Sequence, residues 1–448
     1  MPISFLLEIF DKNKDSISII WSDKEYSYQW LLVQIESWRK YLIENNITPG
    51  SVTAIQGDFS PVTIAILFAL IANKNIIVPL VNSSNEDINS KLEIAGVNFY
   101  ISINHLDEVS FTKSNYSREY TFYYTLIRED KPGLVLFTSG SSGQPKAAVH
   151  DFSKLLEKFK KTRKSYRTVN FLLFDHWGGL NTMLHTLSNA GVVLSLHDRS
   201  PEKVCSFIER HKIELLPASP TFLNLLLISE SYNKYDLSSL KIISYGTEPM
   251  PESTLIRIKH IFPHVKLHQT YGLIELGVLR SKSKSDDSLW VKLGGEGYQT
   301  RVVDGILHIK ANSAMLGYLN APSPFTDDGY FVTGDLVEVE GDYYKILGRQ
   351  SEQINVGGEK VFPAEVENVL LQFEGVNDVK VYGEKNLITG NIICASLQLK
   401  DVGDQKEFLK KLKKYCRSKL ESFKIPVKFT ITDKIQHSVR FKKKRFET

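Results

Sequence analysis

One stretch of the chain, residues 134–150, brings together residue types that suit phosphate binding: "LVLFTSGSSGQPKAAVH". Small residues and hydroxyl groups follow the apolar run that ends at Phe137, and Lys146 comes after them. Backbone N–H groups and hydroxyls can bind phosphate oxygens, and an ammonium group can neutralise their charge. The pattern is not a Walker loop, because Pro145 precedes the lysine and Ala147 follows it. Since glycine and serine also build ordinary turns, the residues alone leave a phosphate-binding loop and a plain loop open.

The composition excludes several classes of function. The chain has 448 residues, which suggests two or three domains. Its 55 basic and 51 acidic residues give a net charge of +4, too balanced to favour nucleic acid or a membrane surface as a partner. The cysteines lack metal-ligand and redox spacing, so we expect buried thiols in a reducing compartment. The start lacks a basic signal region, and the most apolar run, residues 62–72, is too short to span a membrane. We expect a cytoplasmic protein.

The hydrophobic pattern predicts an α/β protein. The first hundred residues alternate apolar strands with helices, including a helix capped by Ser27 and a buried helix at 61–72. Strands in which apolar residues do not alternate with polar ones indicate a parallel sheet that is covered on both faces. From about residue 293, short strands with glycine turns indicate a β-rich subdomain. A compact α+β piece follows, which predicts an N-terminal domain at 1–350 and a small C-terminal domain at 351–448.

Five ordered motifs resemble those of the adenylate-forming (AMP-binding) enzyme superfamily, which includes acyl- and aryl-CoA ligases, adenylation domains of peptide synthetases, and luciferases. They are "TSGSSGQPKAAVH", "SYGTEPMP" (244–251), "HQTYGLIE" (268–275), "YFVTGD" (330–335) and "ILGRQSEQINVGGEKVFPAEVE" (346–367). With their flanks they cover the chain from about residue 20 to its end. The resemblance implies ATP-dependent activation of a carboxylic acid as an acyl-adenylate, transfer to a thiol, and a mobile C-terminal domain.

The resemblance also assigns residues to the nucleotide. The β- and γ-phosphates would be held by the loop residues Thr138, Ser139, Gly140, Ser141, Ser142, Gly143 and Lys146, of which Thr138 is also assigned a catalytic role. Tyr271 would stack on adenine, and Asp335 and Arg349 would bind the ribose. Further nucleotide contacts would come from Gly246, Thr247, Glu248, Thr270, Gly272 and Ile274. Glu275 would help to hold Mg²⁺, because magnesium uses few protein carboxylates and keeps its phosphate ligands.

His176, in "FDHWGGLNTM", resembles the histidine that begins the acyl-pocket segment of acyl- and aryl-CoA ligases. The resemblance makes it a gate at the carboxylate site, although a lone histidine at an apolar strand end is more often structural. Gly178, Gly179, Ala218 and Ser219 near the expected pocket suggest room for an aryl or a short or medium acyl group.

The segment "IQHSVRFKKKRF" should contain the lysine that bridges the carboxylate and the α-phosphate. Alignment places Lys442 there, with Phe441 where the family has glycine. Lys443 and Lys444 leave the register open, and the charge run alone is typical of a solvated basic tail. With Lys442 as the first choice, we expect alanine substitutions of Lys443 and Lys444 to be nearly silent.

The linker motif resembles the version found in CoA ligases. Ser351 would be the hinge, and Gly357, Gly358 and Lys360 would line the path of the thiol. The first choice is therefore an acyl- or aryl-CoA ligase, and the second is an adenylation enzyme that loads an aryl or acyl acid onto the phosphopantetheine of a separate acyl carrier protein. Ile274 replaces the usual threonine, Ser351 the usual Asp or Lys, and Phe441 the usual glycine, which keeps a catalytically impaired nucleotide-binding regulator open. An oxidative enzyme like luciferase is also open, but no residue favours it.

Overall fold

The computed structural model describes most of the chain, namely residues 1–114, 116–138, 145–400, 403–433, 437–438 and 440–443. It is a mixed α/β protein with a large N-terminal domain and a smaller C-terminal domain, as the sequence predicted. The predicted site residues outside the described residues are Ser139, Gly140, Ser141, Ser142, Gly143 and the alternative lysine, Lys444.

The first seven-stranded sheet carries the strand that leads into the expected phosphate loop. Its strands in spatial order are Gly317–Tyr318, Lys146–Asp151, Gly133–Thr138, Ile76–Leu80, Val52–Gln56, Phe99–Ile103 and Val109–Lys113. The central strands are parallel. The helix Pro61–Ala72 is buried along nearly its whole length, and the Ser60 hydroxyl caps it by accepting from the Thr63 N–H. The predicted buried helix is thus confirmed.

The second seven-stranded sheet positions two of the nucleotide motifs. Its strands in spatial order are Lys266–Gln269, Ile242–Tyr245, Leu215–Ala218, Arg167–Val169, Val192–Ser195, Ile17–Trp21 and Lys24–Ser27. Ala218, Tyr245 and Gln269 pair across three neighbouring parallel strands. Because the carboxyl ends of these strands meet at one edge, the residues that follow them must lie together.

Helices cover the sheets of the N-terminal domain. They are Ser4–Lys12, Tyr28–Glu44, Asn85–Ala95, Thr121–Arg128, Phe152–Leu156, Trp177–Leu187, Pro201–His211, Pro220–Ser229 and Glu252–Ile261, besides Pro61–Ala72. The helix predicted after Ser27 is confirmed, because the Ser27 hydroxyl accepts from the Trp30 N–H at 3.1 Å. No helix among the described residues is both long enough and apolar enough to cross a bilayer.

The β-rich subdomain is a six-stranded antiparallel sheet that begins earlier than residue 293. Its strands in spatial order are Ser281–Ser283, Trp290–Leu293, Tyr343–Arg349, Phe331–Glu340, Ile306–Ala311 and Tyr298–Val303. A short antiparallel pair, Gly272–Leu273 with Gly277–Val278, precedes it.

The C-terminal domain combines strands and helices. Its strands are Ile354–Val356 and Glu359–Val361, which form a hairpin, and Val376–Asn386, Gly390–Leu399 and Lys428–Ile431, which form a sheet. Two helices, Pro363–Leu371 and Gln405–Lys419, pack on this sheet through a core that includes Leu370 and Leu412. The three cysteines are buried free thiols, as expected.

Candidate active site

The two adenine motifs touch at the edge of the second sheet. The Thr270 N–H donates to the Tyr245 carbonyl at 2.7 Å. A Cβ on Gly246 would lie 2.5 Å from Thr270 Oγ1, so only glycine fits there without moving the neighbouring segment. Thr247 follows in the left-handed region, with φ +76. The predicted residues around Gly246 and Thr270 are therefore neighbours, with a tight backbone turn between them.

Tyr271, Asp335 and Arg349 form one cluster, in which Tyr271 and Asp335 are buried and the Arg349 side chain is 54% exposed. The Tyr271 hydroxyl donates to Asp335 Oδ2 at 2.6 Å, and Arg349 Nε lies 3.3 Å from Asp335 Oδ1. Burial raises the pKa of Asp335, and the charge of Arg349 opposes that rise. Burial, together with the Asp335 charge, raises the pKa of Tyr271 well above its usual value. The arrangement orients a carboxylate that can accept hydrogen bonds from a bound hydroxyl group.

Glu275 and Lys146 meet at Tyr318. The Tyr318 hydroxyl donates to Glu275 Oε1 at 2.6 Å, and Lys146 Nζ lies 5.6 Å from the centre of the Tyr318 ring. Among the described residues no cluster of three or more metal-ligating side chains occurs. A single oriented carboxylate fits magnesium bound with nucleotide phosphates, because that ion takes one or two protein carboxylates. Ile274, next to Glu275, instead packs against the apolar cores.

Tyr318 and Asn320 are site residues that the sequence did not indicate. The Asn320 amide donates to the Pro145 carbonyl at 2.8 Å and accepts from the Ala147 N–H at 3.0 Å. Asn320 therefore fixes the backbone on both sides of Lys146. More than 170 residues separate these partners in the chain, and no local pattern links them.

His176 lies at the start of the helix Trp177–Leu187. Its Nδ1 accepts from the Gly178 N–H at 3.0 Å, which caps the helix. Burial holds the pKa of His176 well below its usual value, and the charges of Lys442 and Arg440 act in the same direction. The ring is therefore neutral near pH 7, and it has both a structural role and a place beside the C-terminal segment.

Gly178 and Gly179 lie so close to the segment before His176 that a side chain would not fit at either position. A Cβ on Gly178 would lie 2.6 Å from Leu172 Cδ1, and one on Gly179 would meet the Leu172 carbonyl at 2.8 Å. The space that we expected them to leave for a substrate is thus occupied by the chain at Leu172.

Ala218 and Ser219 lie at the edge of the second sheet. Ala218 is buried at the end of its strand, and the Ser219 hydroxyl accepts from the Phe222 N–H at 3.1 Å. The same hydroxyl donates to the Phe441 carbonyl at 2.6 Å. Ser219 therefore contacts the C-terminal segment directly.

Lys442 is brought into the site by the C-terminal domain. It lines a small void with His176 and Arg440. Burial lowers the pKa of the Lys442 ammonium; Glu248 opposes this change, while Arg349 reinforces it. Glu248 in turn accepts from the Thr221 N–H at 2.8 Å. A cation is thus held where the nucleotide and acid motifs meet.

Lys443 contacts the C-terminal domain instead. Its Nζ lies 2.6 Å from the Val379 carbonyl, 3.3 Å from Asp378 Oδ1 and 3.7 Å from Glu367 Oε2, and its side chain is 8% exposed. Lys443→Ala should therefore lower stability, because a buried cation facing buried carboxylates supports the fold, while its near silence in the half-reactions stays a prediction.

The residues predicted for the thiol path are exposed in this arrangement. They are Gly357, Gly358 and Lys360, and the predicted hinge residue, Ser351, is exposed as well. A Cβ on Gly358 would meet nothing within 4 Å, although its φ of +98 favours glycine. No contact among the described residues joins this hairpin to Lys442, so the thiol path stays a prediction.

Comparison with known proteins agrees with the motifs. The family described as "AMP-binding enzyme" matches residues 8–319, and "AMP-binding enzyme C-terminal domain" matches residues 365–442. An uncharacterized acyl-CoA ligase of Bacillus subtilis, YhfT, is 29% identical over 334 residues, which cover 69% of this chain and 66% of that protein. The long-chain-fatty-acid–CoA ligase FadD13 of Mycobacterium tuberculosis is 28% identical over 67% of this chain and 64% of its own length.

The chain thus matches somewhat less than two thirds of these relatives' length. Among solved structures, the anthranilate CoA ligase AuaEII shares the fold, with a TM-score of 0.82 and 17% identity over 98% of this chain and 95% of that one. The amide bond synthetase McbA of Marinactinospora thermotolerans has a TM-score of 0.77 and 20% identity, over 98% of this chain and 97% of that one. With family matches covering most of its length, the chain belongs to the AMP-binding enzyme family and resembles the acyl- and aryl-CoA ligases within it.

Proposed function

We propose that this chain uses ATP to convert a carboxylic acid into an acyl-adenylate, with release of pyrophosphate, and then transfers the acyl group to coenzyme A. The observation that carries the proposal is the position of Lys442. Its side chain comes from the C-terminal domain and lines a small void together with His176 of the N-terminal domain, and the Glu248 carboxylate favours its charged form. A cation there can hold together the carboxylate and the α-phosphate, two anions that repel each other in water.

In the first step a carboxylate oxygen attacks the α-phosphorus, and the bond to the pyrophosphate oxygen breaks. The step moves no proton, so the protein has to align the reactants and balance their charge. Lys442 does both in this proposal. His176 is neutral because burial lowers its pKa, so it shapes the acid site without adding charge.

The nucleotide is held by groups of the N-terminal domain. Asp335, oriented by Tyr271, accepts from the ribose hydroxyls, and the adenine stacks on the ring of Tyr271. Lys146 and the loop before it neutralise the phosphates. Mg²⁺ held by Glu275 supplies further charge neutralisation when it is bound.

The second step needs another arrangement of the two domains. The hairpin residues Gly357 and Gly358 are exposed here, so a rotation about Ser351 must bring them to the acid site. The thiol sulfur then attacks the acyl carbon, the bond from that carbon to the AMP phosphate oxygen breaks, and the thiol proton passes to solvent. The names of the relatives, acyl-CoA ligases, favour coenzyme A over a carrier protein as the acceptor.

The test is a panel of aryl and straight-chain acids with ATP and Mg²⁺, in the presence and absence of coenzyme A. We expect acid-dependent exchange of labelled pyrophosphate into ATP without coenzyme A, and a thioester only when it is added.

Two results would contradict the proposal in different ways. Binding of ATP without exchange for any acid would favour a nucleotide-binding regulator. Exchange without a thioester would retain adenylation but exclude coenzyme A as the acceptor, and purified carrier protein with its phosphopantetheine arm would then be tested in its place.

A further inference from the structure

Phe441 has a backbone conformation that suits glycine. Its φ is +50, in the left-handed region that a bulky side chain rarely adopts. Such a conformation persists only where the surroundings hold it in place. The side chain of Phe441 must therefore make contacts that outweigh the strain.

Those contacts lie in the N-terminal domain. The Phe441 ring centre is 5.2 Å from that of Phe171 and 5.6 Å from that of Phe222. The Phe441 carbonyl accepts from the Ser219 hydroxyl at 2.6 Å. His437, also in the C-terminal segment, stacks on the ring with a centroid distance of 5.5 Å. An aromatic side chain of one domain is thus inserted into the other.

A neighbouring ion pair fixes the inserted segment. The Arg440 guanidinium binds Asp175 through two hydrogen bonds, with Nη1 2.8 Å from Oδ1 and Nη2 2.5 Å from Oδ2. Asp175 directly precedes His176, so the segment is held against the acid end of the site. The ring of Phe441 cannot leave unless this pair breaks or the C-terminal domain moves.

Phe441 borders two spaces, and Leu173 and Arg199 line both of them as well. One is the void of about 10 Å³ next to His176 and Lys442, which has room for about one water molecule. The other is a cavity of about 730 Å³ that includes apolar side chains such as Leu225 and Ile228. Phe441 lines both spaces.

We infer that Phe441 is a specificity-determining residue that the C-terminal domain supplies to the acid pocket. The inference rests on the proposed adenylation activity. With its carboxylate at Lys442, an acid extends toward the larger cavity until it meets the Phe441 ring. The ring therefore limits the length of the acyl chain, and it does so only while the C-terminal domain is docked.

The experiment compares wild type with Phe441→Ala and Phe441→Leu on propionate, hexanoate and decanoate, by pyrophosphate release at saturating ATP. We expect Phe441→Ala to raise the ratio of kcat/KM for decanoate to that for propionate by about tenfold or more, because the two spaces join. Phe441→Leu, which retains an apolar side chain in the gap, should give a smaller shift in the same direction. The KM for ATP should not change.

Phe423→Ala is the matched control, because Phe423 is partly buried against the core of the C-terminal domain, and the acid preference of this variant should equal that of wild type. Two outcomes would overturn the inference while wild-type adenylation stands. One is a rate that falls by the same factor for all three acids, and the other is an unchanged ratio of kcat/KM for decanoate to propionate in both Phe441 variants. If wild type released no pyrophosphate with any acid, the proposed function and this inference would both fall.

Discussion

At the nucleotide end of the site, the hydrogen bonds between side chains stay within the N-terminal domain. They join Tyr271 to Asp335 and Tyr318 to Glu275. At the acid end, by contrast, Arg440 of the C-terminal domain pairs with Asp175 of the N-terminal domain. The first end is preformed whatever the position of the C-terminal domain. The second is complete only when that domain is docked. The binding of ATP and the choice of acid should therefore respond differently to changes in the C-terminal segment.

Removal of the Lys442 ammonium tests this difference most strongly. Lys442→Ala should slow adenylate formation on the order of 10³-fold, because it removes a charge aligned with both reacting anions. The affinity for ATP should change far less, since the pairs at the nucleotide end stay intact. Single-turnover pyrophosphate release measures the rate, and a titration with ATP measures the affinity.

Two further variants complete that test. Lys442→Ala should still convert supplied acyl-adenylate and coenzyme A to a thioester, whereas Gly358→Leu should form the adenylate but not the thioester. Lys410→Ala, at an exposed position on the helix Gln405–Lys419, is the control and should resemble wild type. Equal loss in both half-reactions from both site variants would contradict a second domain arrangement.

Lys443→Ala should act on stability. It removes the ammonium that faces Glu367 and Asp378, and loss of one partner from a buried ion pair lowers the free energy of unfolding by about 3 kcal/mol. Urea unfolding measures the effect, and Asp378→Asn added to Lys443→Ala should recover part of it. A variant that stays stable but cannot form the adenylate would mean that Lys443, not Lys442, reaches the reactants.

The meeting of the two adenine motifs was predictable because the motifs are short and contiguous, whereas Tyr318 and Asn320 at the same end had no local signal. Gly246 and Thr270 follow the ends of neighbouring parallel strands, and that topology brings them together. A continuous apolar run likewise predicted the buried helix Pro61–Ala72, since nearly every residue in it is apolar. In each case the information is local, or it follows from the strand order of one sheet.

The acid end could not be predicted in the same way. Arg440 and Asp175 are 265 residues apart, and no local pattern pairs them. Gly179 was predicted to leave room for a substrate, yet the chain at Leu172 fills that room. A glycine in a sequence shows that space is needed, but not whether a ligand or the backbone takes it.

Acid conditions should lower the stability of the N-terminal domain through protonation of His150, which lies in the strand that follows the phosphate loop. Burial lowers the pKa of His150 to about 4, whereas an unfolded histidine titrates near 6.5. The unfolded state therefore binds the proton first, and stability present above pH 6.5 is lost as the pH falls toward 4. At pH 5 the loss should be about 2 kcal/mol, since one pKa unit corresponds to about 1.4 kcal/mol.

Urea unfolding at pH 7 and pH 5 checks this, with His150→Asn as the variant. The free energy of unfolding should fall from pH 7 to pH 5 by about 2 kcal/mol less in the variant than in wild type. His264→Asn, at an exposed position, is the control and should retain the wild-type difference. An equal difference in all three proteins would show that His150 does not contribute to acid sensitivity.

The smallest expected effect concerns Tyr318, which touches no reactant but orients Glu275. Tyr318→Phe removes the hydroxyl that donates to Glu275 Oε1 at 2.6 Å and keeps the ring beside Lys146. Loss of a group that positions a metal ligand typically costs about tenfold in metal affinity, so the Mg²⁺ concentration for half-maximal adenylation should rise by about that factor. Glu275→Gln should move it further in the same direction, because an amide is a poorer magnesium ligand than a carboxylate. Neither variant should alter the ratio of kcat/KM between long and short acids, because the acid end is built from other residues. A shift in acid preference with unchanged Mg²⁺ dependence would mean that the two ends of the site are not separate.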